Sequence, residues 1–172
     1  MEKISILGIS VSNVRLHEAL EFIVRGLENP AKNLMIVTPN PEIIMYANKE
    51  SSFKRILNSA DLALADSIGI MWAGKLLGKP FKERITGADF MELLCKEAGI
   101  RGFTVGLLGG GPKIAERAAE CLRLRYPKLK VVFVGEEWPM SPKSPTFPKS
   151  PTDILFVAFG FPKQEKWIFE NL

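Results

Sequence analysis

Histidine, cysteine and aspartate are scarce in this sequence, and each shortage closes off a chemistry. There is one histidine, His17, which removes a histidine-based metal cluster and argues against a Ser-His-Asp enzyme. The two cysteines, Cys95 and Cys121, supply neither a disulfide framework nor a four-thiolate zinc site. Both fall in helical stretches and read as buried small hydrophobes of a reducing compartment. Only four aspartates occur, Asp61, Asp66, Asp89 and Asp153, and no two are separated by a single residue. The carboxylate pair that usually clamps a metal-bound nucleotide diphosphate is therefore missing, and neither a metal nor a cofactor is expected. G-x-G-x-x-G and G-K-[ST] are both absent, so the dinucleotide and P-loop fingerprints fail, and with them the case for a Rossmann-type oxidoreductase. No apolar run reaches the length of a membrane span and no signal peptide is visible. The chain is expected neither to cross a membrane nor to be exported.

What is present is globular. Charged residues make up 24% and hydrophobic ones 47%, and 172 residues suit a single domain over the whole chain. The net charge of +4 fits contact with phosphates or an anionic membrane surface, and is also ordinary for a soluble enzyme. Nothing points to nucleic acid.

Apolar, β-branched runs alternate with helix-period segments. Strands are expected at Ile4–Leu7, Leu34–Val37, Leu62–Ala65, Phe103–Leu108, Val131–Val134 and Ile154–Phe159. Between them Leu16, Leu20, Ile23, Val24 and Leu27 mark one face of a helix, and Asn40-Pro41-Glu42 opens another with an N-cap, a proline and an early acid. A third helix follows Asp66 as far as about Leu77, and Thr86-Gly87-Ala88-Asp89 resembles a capping box before a fourth. A fifth turns Ile114, Ala118, Cys121 and Leu122 inward, and a last one begins near Pro162. Apolar strands separated by helices indicate a Rossmann-like α/β fold: a parallel sheet with helices on both faces and right-handed crossovers. One stretch breaks this rhythm. Pro139, Pro142, Pro145, Pro148 and Pro151 recur every third residue within 138–152, the period of polyproline II, and read as a proline-rich loop.

In open parallel sheets ligands bind beyond the carboxyl ends of the strands. Four loops fall there: Thr38-Pro39-Asn40, Asp66-Ser67, Gly109-Gly110-Gly111-Pro112 and Gly160 to Gln164. The glycine run brings backbone amides towards a phosphate at a helix N-terminus, or serves only as a tight strand-to-helix turn. Asp61 and Asp153 begin strands at the opposite edge and Asp89 has a capping role, which leaves Asp66 as the aspartate on the ligand side. Either it is a partly desolvated general base or it caps the helix beginning at Ser67. Lys75, Lys79, Lys82 and Arg84 form the nearest cationic cluster for a diphosphate, Arg84 being best suited to bidentate contact.

These loops sit in blocks that resemble the bacterial TagA/WecG/CpsF glycosyltransferase family. The blocks are Thr38-Pro39-Asn40, Leu64 to Gly69, Glu83 to Asp89, Leu107 to Gly110 followed by Tyr126-Pro127, and Phe159 to Ile168, in family order over nearly the whole chain. The resemblance implies an inverting, metal-independent transfer of N-acetylmannosamine or a related sugar. The donor would be a UDP-sugar and the acceptor a polyprenyl-diphosphate-linked N-acetylglucosamine, in cell-wall or surface polysaccharide synthesis. It implies Asp66 as catalytic base, Thr38, Asn40 and Gln164 lining the sugar and acceptor pocket, Arg84 near phosphate, and Gly109 and Gly110 in the binding turn. It also implies a cytoplasmic protein held at the inner face of the cell membrane, and leaves self-association open. Two departures stand out. The proline-rich segment replaces a crossover helix, and the family continues beyond the last helix into a basic tail. An alternative is thus a non-catalytic UDP-sugar-binding module.

Overall fold

The computed structural model describes residues 1–29, 33–135 and 151–172. In chain order the elements are β1 (Lys3–Ile6), β2 (Ile9–Ser12), α1 (Leu16–Glu28), β3 (Ile36–Val37), α2 (Pro41–Lys49), α3 (Ser51–Ser59), β4 (Leu62–Ala63), α4 (Ile68–Leu76), α5 (Gly87–Arg101), β5 (Thr104–Gly109), α6 (Ile114–Arg125), β6 (Lys130–Gly135), β7 (Ile154–Ala158) and α7 (Lys163–Asn171). β3 pairs with β4 in parallel, and β5 pairs in parallel with β6 on one side and β7 on the other. Parallel neighbours need a crossover between them, supplied by α2 and α3 for the first pair and by α6 for β5 and β6. This is the Rossmann-like α/β class that the apolar strands predict.

The chain divides into two compact units, Met1–Phe90 with Phe161–Leu172, and Met91–Gly160. In the first, the core gathers Ile4, Ile9, Val11, Ile44, Phe53 and Leu57 from the two leading strands and from α2 and α3. Tyr46 stands edge-on to both Phe53 and Phe161, with ring centroids 5.2 and 5.7 Å away. Two elements here escape the sequence reading. The expected strand Ile4–Leu7 stops at Ile6, and Leu7 (φ 50°) and Gly8 (φ 79°) turn the chain into the antiparallel strand β2. A two-residue turn with both φ positive usually announces itself as Asn-Gly, whereas leucine is disfavoured there. The conformation is held from outside: Lys54 Nζ donates to the Leu7 carbonyl at 2.7 Å and Asn58 Nδ2 to that of Gly8 at 2.9 Å. Both donors lie on α3, the other element not anticipated.

In the second unit β5 is the central strand, and Cys95, Ala98, Val105, Leu107, Ala115 and Ala119 build the core around it. α6 is rotated from expectation. Its buried residues are Ala115 and Ala119, with Ala118 and Leu122 partly buried, while Ile114 and Cys121 face solvent. Small residues let α6 approach β5 and β6 closely, so the inward stripe follows the alanines instead of the larger side chains. Burial pushes the Cys95 thiol up to about 11, with Glu92 adding to it.

Asp61 and Asp153 do what their positions at strand starts imply. Asp61 Oδ2 accepts the Met35 N–H at 3.0 Å, and Asp153 Oδ2 accepts the Thr104 N–H at 2.7 Å. The proline-rich segment, apart from Pro151 and Thr152, lies outside the described residues.

Candidate functional site

Three loops of the first unit meet at the carboxyl ends of β3 and β4. Because these strands are parallel, Thr38-Pro39-Asn40 and Ala65-Asp66-Ser67 leave the sheet at the same edge. The Leu64 N–H donates to the Val37 carbonyl at 2.8 Å, keeping the two exits side by side. The third loop, before α5, is tied in by the Ile85 N–H, which donates to the Ala65 carbonyl at 3.0 Å.

Each loop is shaped by local rules. Asn40 caps α2 through its Oδ1, which accepts the Ile43 N–H at 2.9 Å, with Pro41 in the first turn. Ser67 caps α4, its Oγ accepting the Ile70 N–H at 3.3 Å. Thr86 opens α5: its Oγ1 accepts the Asp89 N–H at 3.2 Å and donates to Asp89 Oδ2 at 2.6 Å.

The capping role open to Asp66 therefore belongs to Ser67. Asp66 is half-buried, and its Oδ2 accepts the Gly87 N–H across a long 3.4 Å. That amide is among the first of α5, where N–H groups have no partner inside the helix. The carboxylate is thus oriented by a helix start 21 residues further along the chain. Gly87 also explains the close approach of the third loop. A Cβ there would come within 3.2 Å of Thr38 Cγ2 and 3.4 Å of its Oγ1. Similarly, a Cβ on Gly69 would strike Pro41 Cγ at 2.6 Å. Gly87 thus packs tightly on Thr38, and Gly69 lies against Pro41, beside Asn40, with no space for a methyl group unless Pro41 shifts.

The remaining candidates stand differently. Arg84, two residues before Thr86, is exposed and makes no ion pair among the described residues. Lys82, grouped with it in the sequence reading, is engaged: Nζ lies 3.2 Å from Glu18 Oε1. Lys75 lies 5.5 Å from the Trp72 ring centroid.

The glycine turn after β5 belongs to the second unit. Gly109, Gly110 and Gly111 all have positive φ (99°, 85° and 85°). A Cβ on Gly109 would lie 2.7 Å from the Ala158 carbonyl oxygen. The Gly110 N–H donates to that same carbonyl at 2.7 Å. Its amide is thus engaged with β7, as in a tight strand-to-helix turn.

Gln164 is the second residue of α7, which follows a cis Phe161–Pro162 bond. Its Nε2 donates to Glu165 Oε1 at 3.1 Å. Glu165 was not singled out in the sequence, yet it is 3% exposed and its Oε2 has no hydrogen-bond partner among the described residues. Burial pushes its carboxyl above the usual range, more strongly than its own backbone N–H and the Gln164 amide pull it down. An acid in a Lys-Gln-Glu-Lys run reads as a solvated helix face, and no sequence signal marks it otherwise.

Residues 4–172 match the model of the glycosyl transferase WecG/TagA/CpsF family. The chain is 33% identical over 174 aligned residues to an N-acetylglucosaminyldiphosphoundecaprenol N-acetyl-beta-D-mannosaminyltransferase from Staphylococcus aureus strain NCTC 8325 / PS 47. The match covers 98% of this chain and 68% of that relative. Proteins of the same name from strains COL and MSSA476 match at the same identity and coverage.

Proposed function

The chain belongs to the WecG/TagA/CpsF glycosyltransferase family, and from that premise we propose that it transfers N-acetylmannosamine, or a closely related sugar, from a UDP-sugar to a polyprenyl-diphosphate-linked N-acetylglucosamine. The acceptor class is that named for the relatives; the nucleotide donor and inversion at the anomeric carbon are part of the proposal. Its place of work is the inner face of the cell membrane, where such an acceptor is anchored.

One observation carries the reading: Asp66 stands at the carboxyl edge of β4 with the helix cap assigned elsewhere. Its Oδ2 is oriented by Gly87, and Oδ1 takes no hydrogen bond from the described residues. A carboxylate so placed can take the proton of an acceptor hydroxyl. As that oxygen bonds to the anomeric carbon from one face, the bond to the diphosphate breaks on the other, and UDP leaves with the bonding electron pair. Thr38 and Asn40, on the loop beside Asp66, are assigned to the hydroxyl and acetamido groups of the sugar and acceptor. Arg84, exposed and unpaired among the described residues, is assigned to the leaving diphosphate, and Gln164 to the sugar.

The test is transfer from UDP-N-acetylmannosamine to a short-chain lipid-diphosphate acceptor, with UDP binding measured alongside. Asp66→Asn is expected to lower kcat by about 10²–10⁴-fold with UDP affinity unchanged. A loss within about threefold would remove Asp66 from the base role. UDP binding equal in both forms, with no turnover in either, would support the non-catalytic alternative.

A further inference from the structure

α4 is unusual in being apolar on both sides. One face is buried by Ile70 and Gly74, and a Cβ on Gly74 would lie 2.7 Å from the Phe81 ring. The opposite face carries Ile68, Trp72 and Leu76 at i, i+4 and i+8, exposed to 60, 62 and 89%, with Leu77 exposed to 54% just beyond. The tip then turns sharply. Gly78 (φ 70°) closes the helix with its N–H on the Lys75 carbonyl, and the Lys79 N–H donates to the Gly74 carbonyl at 2.9 Å. Lys75 and Lys79 flank the leucines, and no acidic residue occurs between Ser67 and Lys82.

We propose that this face of α4 and its leucine tip are a membrane-docking surface that inserts Trp72, Leu76 and Leu77 into the interface of an anionic bilayer, with Lys75 and Lys79 on the headgroups. A helix apolar all round is stable only when something apolar covers its free side. The residue types match a lipid interface: tryptophan sits at headgroup depth, leucines reach the acyl boundary, and lysine stems follow apolar surface while their ammonium groups stay wet. Charge argues against a second copy as the occupant. A two-fold contact would gather four lysines, two from each chain, around one apolar seam, and no acid lies between Ser67 and Lys82 to pair them. An anionic surface turns the same lysines into an attraction. The stripe begins at Ile68, two residues after Asp66, so lipid contact here would hold the acceptor-side loop at the depth where a lipid-linked diphosphate emerges. That last consequence rests on the proposed function; the docking itself does not. Among the described residues no helix is long and apolar enough to cross a membrane, so contact of this kind would be peripheral.

The experiment uses vesicles without any lipid-linked acceptor, so that failure of the transferase reading leaves its outcome intact. Vesicles of phosphatidylglycerol and phosphatidylcholine are expected to co-sediment the protein, and pure phosphatidylcholine to do so at least about fivefold more weakly. Brominated lipids should quench tryptophan emission, and Trp72→Phe should abolish that quenching. Leu76→Glu and the double change Lys75→Glu/Lys79→Glu should each weaken binding about tenfold or more. Leu124→Glu, at a leucine 83% exposed on α6, serves as the control and should leave binding unchanged. All these side chains except Trp72 make little packing contact, and unchanged far-UV circular dichroism would confirm folding. Asp66→Asn should bind vesicles as the parent does. Equal losses for Leu76→Glu and Leu124→Glu would overturn the proposal, as would quenching that survives Trp72→Phe. A dimer in sedimentation that Leu76→Glu dissociates, without vesicle binding by the parent, would assign the surface to a second copy.

Discussion

Replacing Glu165 with glutamine should make the protein more stable at neutral and alkaline pH, although it removes an acid from the first turn of a helix. Glu165 is 3% exposed, and one carboxylate oxygen, Oε2, is buried without a partner among the described residues. An unsatisfied buried polar group costs about 1–3 kcal/mol, and more when charged. The opposing contribution, an acid favoured by the helix N-terminus, is worth about 0.3–1 kcal/mol, so desolvation prevails. Burial raises the folded-state pKa above the unfolded value of 4.5. Between those two values the folded chain binds the additional proton, so the stability linked to Glu165 is complete below 4.5 and is lost as pH rises through the folded pKa. Glutamine keeps the Oε1-type acceptor for Gln164 and carries no charge at any pH; its amide nitrogen takes the unpartnered place of Oε2, so the two proteins differ in the buried charge alone. The two proteins should therefore be close in stability near pH 4.5 and diverge by about 1–3 kcal/mol at pH 8, glutamine being the more stable. For a chain of this size that is about 2–12 °C in melting temperature. Trp167, buried two residues away on the same helix, supplies the local fluorescence signal. Scans from pH 4.5 to 8 on both proteins decide the matter. A stability difference that does not change with pH would refute the reasoning, because only the ionised form suffers from the burial.

Three further outcomes follow from single contacts. Asn40→Ala and Ser67→Ala each remove the acceptor for a first-turn amide and should cost about 1 kcal/mol in urea unfolding. Gly109→Ala, with φ at 99° and a backbone oxygen 2.7 Å from the new methyl group, should destabilise by about 1–3 kcal/mol; a melting temperature equal to the parent's would discredit the described turn. At pH 8 a thiol reagent should modify Cys121 quickly and Cys95 only on unfolding, since Cys95 is fully buried with its thiol pushed up to about 11. Modification of both thiols at one rate in the native protein would contradict that burial.

Much of this molecule is governed by interactions spanning three or four residues, and those are legible in the sequence. The Asn40-Pro41 helix start, the Thr86–Asp89 cap and the strands around Val37, Leu62, Leu107 and Phe156 depend on backbone groups close in the chain. Side-chain type and spacing therefore suffice to find them. The ordered blocks from Thr38 to Ile168 were enough to place the chain in its family. The aspartates sorted themselves by the same logic, Asp61 and Asp153 each standing at the start of a strand and Asp66 just past the end of one.

Burial and long-range contact were decided only in three dimensions. Ser67 caps α4 through the Ile70 N–H, and the Asp66 carboxylate turns instead to Gly87, distant in sequence. Leu7 adopts a positive φ because Lys54 and Asn58 reach across from α3, which no local preference reports. Cys121 and Ile114 lost their expected inward places because alanines permit the closer approach of α6. Glu165 and Leu76 are the sharpest reversals, a buried acid and a solvent-facing leucine in segments whose composition suggests the opposite. A sequence records what each residue prefers; which neighbours surround it is set by the packing of elements far apart along the chain. Here that packing determined how the candidate base is held and which apolar face was left uncovered.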